Sequence, residues 1–287
     1  MKKIAVVTDS NSSMSPEEAK SIGVFFISMP FFIDGELFFE GKDLTQEKFY
    51  EMLKNDIDIS TSQPSPGEIT SLWDEILKEY DEIVHIPMSS ALSSSCQTAN
   101  MLAEEYDGRV FVVNNKRISA TQRHSVLDAL SMIAKGYDGA KIKEILEKEG
   151  LESSIYIALE TLKYLKKGGR ITPAAAMLGT VLNLKPVLQI QGGKLDSYAK
   201  SRGMKQAERV VIEAIKKDVQ ERFAGQEVFI DAVYSGSKEH GEKWRQKMQK
   251  AFPEYKIHLS PLSLSVACHI GDGAIAATCV RVIDERK

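Results

Sequence analysis

Cysteine and histidine are scarce in this sequence. Three cysteines occur among 287 residues, Cys96, Cys268 and Cys279. An odd number of cysteines without paired spacing builds neither a disulfide framework nor a zinc site. The five histidines include no pair at the helical spacing of metal ligands, and no acidic cluster stands beside them. We therefore expect no metal ion, and we expect the cysteines to be small, semi-buried hydrophobic residues.

Long hydrophobic runs are also missing. The apolar run near the amino terminus, residues 4–7, is too short for the core of a signal peptide. The longest apolar stretch, residues 24–33, contains Ser28 and Pro30 and is far shorter than a bilayer span. The sequence therefore predicts a cytoplasmic protein.

Neither sign of charge predominates, because 37 basic and 40 acidic residues give a formal net charge of -3. No basic stripe is interleaved with aromatic residues, which makes nucleic acid a poor candidate for a partner. Gly-x-Ser-x-Gly and the P-loop motif are both absent. Residues 271–276 fit Gly-x-Gly-x-x-Ala, but too little chain follows them for a dinucleotide-binding βαβ unit. We expect no bound cofactor.

What the sequence does contain is an ordinary globular composition, with 43% hydrophobic and 27% charged residues. Its length exceeds what one hydrophobic core usually serves, so two domains are expected. Strand and helix patterns alternate over residues 1–150, which predicts an α/β domain with a parallel sheet. Residues 151–287 mix hairpins with helices, which predicts an α+β domain. A ligand pocket between the two domains follows from this arrangement.

Local signals predict several elements within that plan. Asp34-Gly35 between aromatic runs indicates a hairpin. Ser65 begins a capping box that opens a helix reaching about Tyr80. We expect Cys268 and His269 to lie on an extended segment, where neighbouring side chains point to opposite faces and act poorly together.

Three turns are rich in neutral hydrogen-bond donors, at residues 61–68, 89–95 and 269–273. Open α/β sheets place their ligand sites at such turns, so these could together hold a carboxylate or a phosphate without a metal. The glycines after His269 suggest that its ring is exposed at the mouth of a loop. For Thr61 and Ser93, turn and cap chemistry is an equally good explanation at this point.

Six motifs then combine into a recognisable set. They are Asp9-Ser10, TSQPS at 61–65, SSALS at 89–93 with Gln97, LKKGGRI at 165–171, Lys185-Pro186 and HIGDG at 269–273. With these motifs in this order, the chain resembles the DegV family of bacterial fatty-acid-binding proteins. The resemblance implies a three-layer α/β/α first domain, a two-layer second domain with a mixed sheet, and a fatty acid whose carboxylate lies near the domain junction. It also implies a non-catalytic subunit that presents the acid to a separate ATP-binding kinase subunit, which forms an acyl phosphate.

The resemblance also implies roles for individual residues. Thr61 and Ser93 are expected to hold the carboxylate, with Ser62 and Ser94 as adjacent donors. Arg170 and His269 are expected to line the head-group network, where a nearby cation favours the ionised acid. Arg202 is expected to contact the kinase partner, although an ordinary solvated arginine explains it equally well. Aromatic strands are more often plain core than ligand walls. The candidate tunnel walls near the hairpin are Phe25, Phe26, Ile27, Met29, Phe31, Phe32 and Phe38.

Some positions depart from the family pattern. Ser94 stands where relatives usually have glycine, and Asp272 stands where proline is usual. Thr121 and Arg123 occupy positions that are often glycine. A second hypothesis therefore stays open, in which the protein is an enzyme acting on a small carboxylated or phosphorylated metabolite with His269 as its acid or base.

Overall fold

Strands and helices alternate along the first half of the chain. The computed structural model describes residues 2–40, 42–55, 57–177 and 184–287. The strands up to residue 150 are β1 (Ile4–Asp9), β2 (Val24–Ile27), β3 (Pro30–Ile33), β4 (Glu36–Phe39), β5 (Ile59–Thr61), β6 (Glu82–Ile86) and β7 (Val110–Val112). The helices are α1 (Pro16–Ser21), α2 (Gln46–Lys54), α3 (Pro66–Ile76), α4 (Ser95–Ala103), α5 (Ala120–Ala134) and α6 (Gly139–Lys148).

A parallel four-stranded sheet organises this half, in the order β2-β1-β6-β7. Alternate side chains of β1 enter different cores, because successive residues of a strand face opposite sides. Ala5 and Val7 pack with Trp73 of α3 and Ala99 of α4. Val6, on the other side, packs in the core that includes residues of α1, α5 and α6. The sheet is therefore the middle of three layers.

The predicted hairpin belongs to a separate small sheet, in the order β4-β3-β5. Its turn residues Asp34 and Gly35 both have positive φ, 49° and 82°. Two positive φ values define the type I′ turn that matches the twist of a hairpin, which confirms the prediction. Because β5 pairs antiparallel with β3, this small sheet carries Thr61.

The second half forms a six-stranded mixed sheet. Its strands are β8 (Ser153–Ala158), β9 (Leu184–Ile190), β10 (Asp196–Arg202), β11 (Val228–Tyr234), β12 (His258–Pro261) and β13 (Ile275–Arg281). They lie in the order β10-β9-β8-β13-β11-β12, and only β11 and β12 pair in parallel. The helices are α7 (Lys163–Gly168), α8 (Pro173–Met177), α9 (Met204–Lys217), α10 (Lys238–Ala251) and α11 (Leu264–Ile270).

The two faces of this sheet have different partners. One face packs against α9 and α10, with Val211 and Trp244 in that core. The other face, with Ile157 and Leu188, shares a core with Met88 and Ile118 from the first half. The predicted α/β class, with a parallel sheet followed by a separate mixed sheet, is confirmed. Each large sheet lies on one side of residue 150, while the division into domains there stays a prediction.

Two local predictions are wrong. Helix α3 was expected to reach about Tyr80, but it ends at Ile76 and residues 77–79 form turns. Residues 264–270 form helix α11 instead of an extended segment, with Ser263 as N-cap accepting from the backbone N–H of Val266. A short apolar run has the same composition in either conformation, so periodicity alone does not separate the two.

The structure bears on two further expectations, one for the cysteines and one for membrane segments. Cys96, Cys268 and Cys279 are all buried and unpaired, as expected for small hydrophobic residues. Among the helices of the described ranges, none is both long enough and apolar enough to cross a membrane.

Candidate functional site

A cavity of about 280 Å³ lies where the first half meets the second. We call it the junction cavity. It is lined by all six residues that the sequence assigns to a ligand site, namely Thr61, Ser62, Ser93, Ser94, Arg170 and His269. The first four come from the first half of the chain and the last two from the second. The fold thus brings the three donor-rich turns together, as expected from their positions.

The serines reach the cavity from the segment before α4. The Ser93 hydroxyl accepts a hydrogen bond from the backbone N–H of Ser95 at 3.2 Å. Ser94 is the N-cap of α4, yet its hydroxyl makes no capping bond. The positive, amino-terminal end of the α4 dipole therefore lies beside the hydroxyls of Ser93 and Ser94. This arrangement favours the binding of an anion.

Thr61 and His269 form one polar contact from opposite halves of the chain. Thr61 Oγ1 lies 2.9 Å from His269 Nε2. Gly168, at the end of α7, makes room for the ring, because a Cβ there would lie only 2.2 Å from His269 Nδ1. The orientation of the imidazole is thus fixed on both sides.

The imidazole of His269 is partly buried, and it is not exposed at a loop mouth as the sequence suggested. Burial, reinforced by the nearby charge of Arg170, lowers the pKa of His269 to about 4. The ring is therefore neutral at pH 7, and of the described residues that line this part of the cavity, Arg170 alone supplies positive charge.

Arg170 makes its hydrogen bonds to carbonyl groups. Its guanidinium donates to the carbonyl oxygens of Gly168 and of Leu92, the latter at 3.4 Å. Within the described residues, no carboxylate lies at ion-pair distance from Arg170. A half-buried guanidinium that meets only carbonyl groups favours an anionic ligand beside it.

Three more polar residues, Asn11, Gln63 and Ser265, line the cavity, and the rest of it is apolar. Its walls are side chains that mostly belong to the core shared by the two halves: Met29, Met88, Leu92, Ile118, Leu165, Leu195, Val266 and Ile270. Of the predicted tunnel walls, only Met29 lines this cavity. Phe31 and Phe38 pack instead with Phe49 in the core of the small sheet. A cavity polar at one end and apolar at the other accepts an amphipathic ligand.

A second cavity, of about 410 Å³, adjoins the polar end. It shares Thr61, Arg170 and His269 with the junction cavity, and it is also lined by Lys163 and Lys167. These three shared residues therefore stand between the two cavities.

Arg202 lies elsewhere. It is exposed at the end of β10, the outermost strand of its sheet, where it pairs with Leu184. It lines neither of the two cavities. Its expected role as a partner contact stays a prediction.

The departures from the family pattern lie mostly outside the cavity. Asp272 lies against Gly236, and its carboxylate is 3.5 Å from Lys54 Nζ. The Thr121 hydroxyl donates to the carbonyl of Ile118 at 2.7 Å, at the start of α5. Arg123 pairs with Glu18 at 2.5 Å. Ser94 alone lines the junction cavity, and its φ of -77° is ordinary for any residue.

Sequence reasoning missed most of the apolar walls and also Asn11, which lines the polar part. Met88 and Leu92 directly precede serines of the donor-rich turn, so their places beside that motif were a usable signal. Leu195 and Ile270 reach the cavity only through the tertiary fold. No group of three or more His, Cys, Asp or Glu within the described residues is placed to hold a metal ion.

We expect the His269 ring in the free protein to titrate with a midpoint near pH 4. Because the pKa of His269 is lower in the folded state than its ordinary value of 6.5, the unfolded chain binds more protons than the folded protein as the pH falls below 6.5. This group therefore lowers stability as the pH falls from about 6.5 to about 4. NMR shifts of the ring nitrogens against pH measure the midpoint, and His269→Gln identifies the signal. A midpoint near 6.5 would show that the ring is exposed.

This chain is similar to proteins of one known family along nearly its whole length. A family model described as "Uncharacterised protein, DegV family" matches residues 3–282. A DegV domain-containing protein from Deinococcus radiodurans is 30% identical over 273 residues, which cover 95% of this chain and 96% of that protein.

Two solved structures extend the likeness to the fold. A DegV family protein from Thermus thermophilus, described by its fatty acid binding, matches with a TM-score of 0.88 at 27% identity, covering 98% of this chain and 100% of that one. DegV from Bacillus subtilis, described as a fatty acid binding protein, matches with a TM-score of 0.86 at 25% identity and the same coverage. Sequence and architecture are therefore similar to these proteins from end to end.

Proposed function

Because this chain belongs to the DegV family, as its six motifs predict, we propose that it binds a long-chain fatty acid in the junction cavity. The carboxylate lies at the polar end, beside Thr61, Ser93 and Arg170, with Ser62 and Ser94 as further donors. The acyl chain extends among the apolar walls. The observation that carries the proposal is Arg170, which meets no carboxylate among the described residues, at the polar end of a cavity whose other end is apolar.

Physical chemistry divides the binding energy between the two ends of the ligand. Burying each methylene contributes about 0.8 kcal/mol, so a long acyl chain supplies most of the gross affinity. The ordering of chain and side chains offsets part of it. The carboxylate is the costly group, because it leaves water, and charge-assisted hydrogen bonds compensate for that loss. The polar end therefore sets the orientation of the ligand.

The neutral state of His269 is compatible with this role. The hydrogen bond between His269 Nε2 and Thr61 Oγ1 can have either direction. If Nε2 accepts, the threonine O–H donates to the histidine. If Nε2 donates, the threonine O–H is free to donate to the carboxylate. With Nε2 protonated, Thr61 becomes a donor to the ligand. The anion beside it would then also favour the protonated ring and raise the pKa of His269.

We further propose that the protein has no catalytic cycle of its own and presents the carboxylate to an ATP-dependent kinase subunit. A carboxylate oxygen attacks the γ-phosphorus of ATP, the bond to the β-phosphate oxygen breaks, and acyl phosphate and ADP result. The second cavity supports this order of events, because it adjoins the polar end and is lined by the same Thr61, Arg170 and His269. Arg202 is the proposed contact for the partner. The unpaired thiols suit the proposed location, the cytoplasm.

We expect the gently purified protein to carry a fatty acid that extraction and mass spectrometry identify. Ser93→Ala should weaken binding by about three- to tenfold and leave the fold intact, because it removes one of several neutral donors and a typical hydrogen bond contributes about 0.5 to 1.5 kcal/mol. Displacement of a fluorescent fatty-acid probe measures the affinity. Ser71→Ala, at an exposed position of α3, is the matched control.

Two results would contradict the proposal. One is an empty cavity together with no displacement of the probe by any fatty acid. The other is turnover of a small carboxylated or phosphorylated metabolite by the protein alone, which would establish the enzyme hypothesis. Unchanged binding in Ser93→Ala would remove only Ser93 from the site.

A further inference from the structure

Helix α11 belongs to the second half of the chain but is held at both ends by the first half. At its carboxyl end, His269 meets Thr61 of β5. At its amino end, Ser263 and Ser265 meet Asn11, which follows β1 in a 3-10 turn over Ser10–Ser12. The helix thus connects the junction cavity to a second contact between the halves.

One atom of Asn11 accepts hydrogen bonds from both serine hydroxyls. Its Oδ1 accepts from Ser265 Oγ at 2.7 Å and from Ser263 Oγ at 3.0 Å. Its Nδ2 donates to the sulfur of Met88 at 3.0 Å, which fixes which end of the amide faces the serines. Asn11 is 1% exposed and lies in the wall of the junction cavity.

Asp9 in turn holds the turn that carries Asn11. One carboxylate oxygen of Asp9 accepts from the backbone N–H of Asn11 at 2.9 Å and from Gln122 Nε2 at 3.2 Å. The other oxygen accepts from the backbone N–H of Met88 at 2.8 Å. Hydrogen bonds therefore hold Asn11 at its backbone N–H, at its side-chain oxygen and at its side-chain nitrogen.

We propose that Asn11 is a positioning residue for the ligand site: by holding Ser263 and Ser265 it places α11 so that His269 meets Thr61 beside the carboxylate position. The inference rests on the proposed function as far as the ligand is concerned. The placement of His269 is a property of the free protein as well. Asn11 acts through α11, and its own amide oxygen is already occupied by the serines.

The test uses Asn11→Ala and, as a milder change, Ser265→Ala. In the free protein, we expect both variants to raise the titration midpoint of His269 toward its ordinary value of 6.5, because a displaced α11 exposes the ring to water. With oleate labelled with carbon-13 at the carboxyl group, we expect the affinity to fall about tenfold in Asn11→Ala and less in Ser265→Ala. The labelled carboxyl signal should shift in both.

Ser260→Ala is the matched control, because Ser260 is equally buried in β12, just before this segment, and its hydroxyl has no hydrogen-bond partner among the described residues. It should leave both readouts unchanged. Adding Ser265→Ala to Asn11→Ala should have little further effect, since the bond is already lost.

The proposal is overturned if the His269 midpoint in both variants equals that of the unmodified protein, or if the two changes add fully. If Asn11→Ala does not fold, the His269 midpoint in Ser265→Ala alone decides, and a midpoint equal to that of the unmodified protein overturns the proposal. The titration of the free protein needs no fatty acid. Failure of the proposed function would therefore show as absent oleate binding in every variant, with the His269 readout intact.

Discussion

Replacing Arg170 by alanine is expected to weaken fatty-acid binding by about 10- to 100-fold. A hydrogen bond to a charged partner contributes about 1.5 to 3 kcal/mol, and each 1.4 kcal/mol corresponds to a factor of ten. Among the residues that the structure describes, Arg170 is the one positive charge lining the polar end of the junction cavity, since His269 is neutral there. Without it, the carboxylate leaves water with only neutral donors around it. Titration with a fluorescent fatty-acid probe at pH 7.5 measures the loss.

Arg209→Ala is the control for this experiment, because Arg209 is exposed on α9 and lines no part of the cavity. Its affinity should match that of the unmodified protein. Arg170→Lys keeps the charge but loses the fork of donors, so an intermediate affinity is expected. Equal affinities for the unmodified protein and Arg170→Ala would place the carboxylate away from Arg170.

Gly150→Ala is expected to destabilise the folded protein by about 3 kcal/mol, through overpacking. Gly150 is buried between α6 and β8, and a Cβ there would lie 2.4 Å from the backbone carbonyl oxygen of Asn115. Backbone atoms do not give way as a flexible side chain does. Arg117 Nε also donates to the carbonyl of Gly150 at 3.2 Å, which holds the segment in place. Denaturation with urea, followed by circular dichroism, measures the change.

The matched control is Gly193→Ala. Gly193 lies in the turn between β9 and β10, where an added Cβ would meet no atom within 4 Å. Its unfolding midpoint should stay close to that of the unmodified protein. If Gly150→Ala is as stable as Gly193→Ala, the segment around Asn115 can move without loss.

Much of the polar end could be predicted from the sequence because its signals are local. A capping serine or an Asp-Gly turn determines backbone geometry within a few residues, so Ser65 and the pair Asp34-Gly35 are readable directly. Thr61 and Ser93 were recognised because their motifs follow one another in a fixed order. Their convergence on one cavity then depends on the fold class, which the alternation of strands and helices also indicates.

The apolar end and the role of α11 could not be predicted in the same way. Leu195 and Ile118 meet only because a strand hairpin of the second half packs on the first half, and no local pattern encodes that approach. Phe31 looks like a tunnel wall in the sequence, yet it packs against Phe49, 6.0 Å away between ring centroids. Asn11 gave no signal, because its partners lie about 250 residues further along the chain.

The small sheet of β3, β4 and β5 has a consequence for the kinetics of lipid exchange. Its strands have only three or four residues, and they form a sheet separate from the two large ones. Short segments open locally at a lower free energy than the molecule as a whole, although the core of this sheet is shared with Leu264, Ala267 and Cys268 of α11. Because this sheet carries Thr61, the residence time of a bound lipid would follow its local opening. Affinity, which depends on the buried acyl chain, and exchange rate are then set by different parts of the molecule.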